Sequence, residues 1–111
     1  MIPIELKFYK GNLTRLTEED ITSIKSEISS VSSDIDFVSY TIMSKYLVIV
    51  VEVKVNRDWT RLMYHYIDVL AGKIALLFWD EGVYFLEFDR LDAPNGVEGS
   101  LLFKNCNPYT R

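Results

Sequence analysis

The chain has a single cysteine, Cys106, and a single histidine, His65, in 111 residues. One cysteine excludes an intrachain disulfide and points to a reducing compartment. Cys106 stands in "NCNP", with no cationic or helix-N-terminal setting to activate it. One histidine excludes a His-based metal cluster and leaves nucleophilic hydrolysis a single candidate base, with no nucleophile motif around it. The five glycines, at 11, 72, 82, 96 and 99, are scattered as turn residues and form no phosphate-cradling GxGxxG or GxxxxGK[ST] loop, which argues against a nucleotide cofactor. No apolar run approaches the roughly 18 residues of a membrane span. The opening "MIPIELKFYKGN" has no basic region followed by an apolar stretch, so no signal peptide is expected. Bases are also scarce: 12 Lys and Arg against 16 Asp and Glu, for a net charge of −4. Phosphate neutralisation supplies most of the affinity of nucleic-acid binders, so this balance argues against nucleic acid and against anionic membranes. The expectation is a soluble, cytoplasmic protein without a membrane partner.

The chain is 49% hydrophobic, which fits one domain over 1–111 with its own core. "IPIELKF" alternates and predicts a strand over Ile2–Phe8. "LTEEDITSIKSEISSV" predicts a helix. Thr17 is placed as N-cap, Asp20 stands at the third position of a capping box, and Leu16 and Ile21 are spaced as a hydrophobic staple. Ile21, Ile24, Ile28 and Val31 form its narrow apolar stripe. Six of the eleven residues from Ser23 to Ser33 are serine, a mediocre helix former, so the helix should fray near "SSVSSD". "IDFVSYTIM" and "YLVIVVEVKV", joined by "SK", read as a hairpin rich in β-branched residues.

A second helix is expected from Asp58, as its cap, to Ala71, with Gly72 ending it. Trp59, Leu62, Met63, Tyr66, Ile67 and Leu70 give it a broad apolar face. "KIALLFW" then reads as a fourth strand and "VYFLEFD" as a fifth. Residues 90–111 read as a loop and an irregular C-terminal segment, with "SLLFK" a candidate short strand. The result is an α+β domain with a mostly antiparallel five-stranded sheet and two helices, in the order β-α-β-β-α-β-β. Its first six elements match the ferredoxin-like split βαβ arrangement. The third and fourth predicted strands are apolar on both faces. An antiparallel sheet with helices on one side normally has a polar far side. The C-terminal segment, a second copy of the chain or another partner is therefore expected to cover it, unless the helices lie on opposite faces.

Glu52 and Lys54, two apart on a strand, share a face, and Asp36 opens the preceding strand. An acid on one strand and E-x-K on the next resembles the core of the PD-(D/E)XK nucleases, over roughly Ser26 to Phe88. "SDID" stands here in place of that family's Pro-Asp. The resemblance implies that Asp36 and Glu52 hold Mg²⁺ or Mn²⁺, that Lys54 positions or activates water, and that Glu27 is a further acid. Without the resemblance, Glu52 and Lys54 read as a same-face surface pair where a strand leaves the core, and no cofactor is expected.

The strongest charge bias runs from Asp80 to Glu98, with six acids against Arg90 alone. Such a field attracts a basic partner, unless it is only a solvated rim. With no convincing catalytic set, the sequence leans away from an enzyme. It favours a non-catalytic acidic protein-binding module, an inhibitor or immunity-type protein that neutralises a basic protein such as a nuclease toxin. Asp80, Glu81, Glu87, Asp89 and Asp92 would steer the partner, and Trp79 and Tyr84 would anchor it. The alternatives are a small PD-(D/E)XK-type nuclease and a homodimer subunit.

Overall fold

The computed structural model describes residues 1–54 and 61–92. Its elements run β1 (Ile2–Tyr9), α1 (Glu18–Val31), β2 (Ile35–Ile42), β3 (Tyr46–Val53), α2 (Arg61–Leu77), a 3₁₀ turn (Trp79–Glu81) and β4 (Tyr84–Arg90). The strands form one antiparallel sheet in the order β2-β3-β1-β4. Both helices lie on one side of it, where Ile24 and Ile28 of α1 and Ile67, Leu70 and Ile74 of α2 join the core made by the inward residues of the strands. In β1 those are Ile2, Ile4, Leu6 and Phe8, and in β3 they are Leu47, Ile49, Val51 and Val53. The period-two pattern of both strands is thus realised in full.

α1 begins as its capping signals dictate. The Thr17 hydroxyl accepts from the Asp20 amide at 3.1 Å, and the Asp20 carboxylate accepts from the Thr17 amide at 2.9 Å. Glu18, Glu19 and Asp20 place negative charge at the positive end of the helix dipole. The helix stops at Val31, within the serine-rich stretch. There the Ser32 amide still donates to the Ile28 carbonyl, and the Ser32 hydroxyl accepts from the Asp34 amide.

The expected strand over Lys73–Trp79 does not form, and the sheet has four strands rather than five. α2 continues through Gly72 to Leu77, and Trp79–Glu81 is a 3₁₀ turn. A short apolar run has no decisive period of its own. Joined to the residues before it, the run has one: Met63, Ile67, Leu70, Ala71 and Ile74 form a buried helical stripe, which the buried Phe78 continues just past the helix end. What looked like a strand apolar on both faces is a helix end with one apolar side in the core and the other outward, with Leu76 67% exposed. Gly72 therefore lies inside the helix. The left-handed glycine that closes the segment is Gly82, at φ +79°. Asp58, Trp59, Cys106, Glu98 and the "SLLFK" segment lie outside the described residues.

The two ends of the sheet are fastened differently. At one end the Lys10 amide donates to the Lys45 carbonyl and the Asn12 amide to the Glu81 carbonyl at 2.7 Å, tying β1, the β2–β3 turn and the 3₁₀ turn together. At the other, the Lys54 amide donates to Asp34 and the Leu91 amide to Pro3.

Candidate protein-binding face

With both helices on one side, the outward residues of the strands make an open face that no described element covers. Strand register orders it in rows. At one end lie Tyr84, Tyr9 and Tyr46. Next come Glu87, Lys7, Val48 and Thr41, then Asp89, Glu5, Val50 and Ser39, and finally Pro3, Glu52 and Asp36. The face therefore grades from aromatic, through a strip of half-buried valines, to acidic.

The aromatic end is ordered. Tyr9 and Tyr84 stack with ring centroids 5.0 Å apart, and the Lys7 ammonium sits 4.3 Å from the centre of the Tyr46 ring. Such contacts hold large side chains in place while leaving their area available to a partner. Tyr84 is 49% exposed, and Trp79, on the adjoining 3₁₀ turn, 69%. Asp80 and Glu81 are exposed beside it.

The acidic end carries two like-charge cross-strand pairs, Glu5 opposite Asp89 and Glu52 opposite Asp36. Like charges directly opposite destabilise a sheet. Asp36 is relieved by Lys54, whose Nζ lies 3.1 Å from its carboxylate, with both side chains about half exposed. Asp89 keeps a buried Oδ1 with no hydrogen-bond partner among the described residues.

The structure thus brings Asp36, Glu52 and Lys54 together, as the nuclease resemblance requires. It leaves Glu27 in the helix layer on the other side of the sheet. The Lys54 ammonium is paired with Asp36, one of the two carboxylates to which that resemblance assigns the divalent ion. Among the described residues no three Asp, Glu, His or Cys side chains converge as a ligand set.

The steering residues expected from sequence are redistributed. Glu87 and Asp89 do lie on the open face. Asp80 and Glu81 sit at its aromatic end. Asp92 is tied up by Arg90 through two bonds of 3.1 Å, and the guanidinium holds its carboxyl below the ordinary value. Sequence reasoning missed Glu5 and Lys7. The signal was present in the alternation of "IELKF", which puts both opposite the buried Ile4, Leu6 and Phe8.

On the helix side, His65 is exposed on α2, and Asp68 follows it one turn later. Burial raises the Asp68 carboxyl above its usual value of 3.8, against a smaller lowering by His65. Its Oδ1 is buried and has no hydrogen-bond partner among the described residues. A carboxyl raised in the folded state binds more protons there than in the unfolded chain, so stability falls as pH rises from 3.8 through the raised value. Asp68→Asn should remove that fall. The variant is expected to gain on the wild type in urea melts at neutral pH, and to lose the gain towards pH 3.8. A pH-independent difference between the two proteins would refute this.

No helix among the described residues is long and apolar enough to cross a membrane. Compared with protein-family models, curated proteins and solved structures, the chain matches none.

Proposed function

We propose that this protein is a non-catalytic binding module whose open sheet face receives a basic protein partner. One observation carries the reading: acids held opposite acids on a face that no described element covers, beside a stacked aromatic row. A cationic partner would relieve the Glu5–Asp89 repulsion and offset the charge of Glu52, since Lys54 already pairs with Asp36. The stacked Tyr9 and Tyr84, with the exposed Trp79 on the adjoining turn, supply the kind of aromatic area from which interface hot spots are built. An inhibitor or immunity-type role against a basic nuclease follows by analogy with small acidic proteins that neutralise such toxins, and a cytoplasmic location fits that role. The element and strand orders support a ferredoxin-like split βαβ scaffold.

The test is binding and inhibition against a panel of purified basic nucleases by stopped flow, with wild type and the double variant Glu5→Lys, Asp89→Lys. The expected result is inhibition by wild type and association slowed about tenfold or more in the variant at low salt, converging with wild type at high salt. Tyr84→Ala should instead speed dissociation. Absence of binding across the panel, or rates indifferent to charge reversal, would sink the proposal. Self-association of the wild type that Tyr84→Ala abolishes would assign the face to a second copy.

The second reading, a PD-(D/E)XK-type nuclease, is favoured by the juxtaposition of Asp36, Glu52 and Lys54. Calorimetric titration with Mn²⁺ separates the two. The binding module predicts no saturable uptake. Uptake lost in Glu52→Ala, together with nucleic-acid cleavage, would reverse the ranking.

A further inference from the structure

The sheet has a second surface, distinct from its open face: the outer edge of β2, which pairs with no other described strand. Its free hydrogen-bonding groups follow from the register. The Lys54 amide donates to the Asp34 carbonyl and the Met43 amide to the Tyr46 carbonyl. In an antiparallel pair, alternate residues bond the partner strand. Asp36, Ser39 and Thr41 therefore turn their backbone groups to β3, while Ile35, Phe37, Tyr40 and Ile42 turn theirs outwards.

Val38 is an extra residue in the register and interrupts this edge as a bulge. The bulge divides the edge into Ile35–Phe37 and Tyr40–Ile42. The bulge breaks regular pairing of the whole edge with β2 of a second copy, while a short peptide needs only one of the two runs.

Beside the first run, α1 and β2 enclose a groove of about 370 Å³, lined by Lys25, Ile28, Ser29, Ile35, Asp36 and Phe37. Its floor is apolar. Asp36 lines it from the edge but turns its carboxylate to the open face, where it is paired with Lys54. Lys25 lies 5.7 Å from the centre of the Phe37 ring and has no carboxylate partner among the described residues. The groove is thus an apolar slot with one available cation, next to unpaired backbone groups at Ile35 and Phe37.

We propose that this groove binds a short extended peptide segment of another protein, which adds a strand to β2 at Ile35–Phe37. Backbone bonds to the edge would hold the segment, and side chains pointing into the groove would select it. Residues two apart in a strand point the same way. The motif that fits is therefore an acidic residue two positions from a branched apolar one. The carboxylate meets Lys25, and the apolar side chain rests on Ile28 and Phe37.

The probe is an acetylated, amidated hexapeptide of threonines with a glutamate and a leucine two positions apart. Its control has lysine in place of glutamate. Amide hydrogen exchange at Ile35 and Phe37 reads the edge directly. With the glutamate peptide at about ten times its Kd, exchange at both amides should slow about tenfold by mass action. The lysine peptide should protect less in wild type and more in Lys25→Glu. Lys25 is exposed, so this variant leaves the core intact. No protection by either peptide would overturn the proposal. So would equal protection by both in wild type and variant, since charge would then select nothing. Protection without peptide that rises with protein concentration would give the edge to a second copy and overturn it as well.

Discussion

Phe8→Ala is expected to lower the unfolding free energy by about 3–5 kcal/mol, the range for emptying a large aromatic site in a packed core. Phe8 is fully buried on β1, a strand paired on both sides, and its ring lies 5.4 Å from that of Phe85 across the β1–β4 pair. The cavity would open between two strands and the helix layer, where β1 cannot shift without disturbing both neighbours. The adjacent residue supplies the control. Tyr9 points to the open face and is 38% exposed, so Tyr9→Ala should cost on the order of 1 kcal/mol, mainly its stacking on Tyr84. Urea melts of the two variants side by side test the assignment of inner and outer faces. Equal losses would mean that the register is wrong. Domains of this kind have only about 5–15 kcal/mol in total, so Phe8→Ala should also visibly weaken expression of folded protein.

The second large effect comes from the backbone. Gly11 has φ +54°, and a methyl group added there would meet the Glu81 carbonyl oxygen and lie 2.7 Å from the Gly82 carbonyl carbon. That space is closed because the Asn12 amide donates to the same Glu81 carbonyl, clamping the β1–α1 loop to the 3₁₀ turn. Gly11→Ala combines left-handed strain of about 1–2 kcal/mol with overpacking of about 1–3 kcal/mol. Gly82 separates the two effects. It too is left-handed, at φ +79°, but a methyl group there would meet only the Gly11 Cα at 3.8 Å. Gly82→Ala should therefore show the strain alone. Comparable losses at the two positions would mean that the clamp is absent. The clamp bears on function because it holds Trp79, Asp80 and Glu81 beside the Tyr9–Tyr84 row. Gly11→Ala should thus weaken partner binding as well as stability.

Where the sequence was legible, local physics was strong enough to decide the outcome. The capping box at Thr17 and Asp20 formed because two side chains and two amides within four residues satisfy one another. The alternation in β1 and β3 decided their inner faces because a strand has only two sides. The pairing of Asp36 with Glu52 was not legible in this way: counted from the turn at Met43 and Tyr46, Glu52 would face Phe37, and only the bulge at Val38 brings Asp36 opposite it.

The remainder depended on contacts the sequence does not display. Residues 73–79 are apolar enough for either period, and 73–77 became the end of α2 because Ile74, like Ile67 and Leu70 before it, packs into the core. Glu5 and Asp89 are 84 positions apart and became neighbours only when β4 took its place beside β1. A strand's own pattern says which side it buries, but not which strand will lie next to it. The sequence by itself therefore determined an acidic α+β domain with a hydrophobic core. The tertiary structure alone decided that acids would stand opposite acids on one face of the sheet, because that arrangement arises from long-range strand order, to which each segment is locally blind.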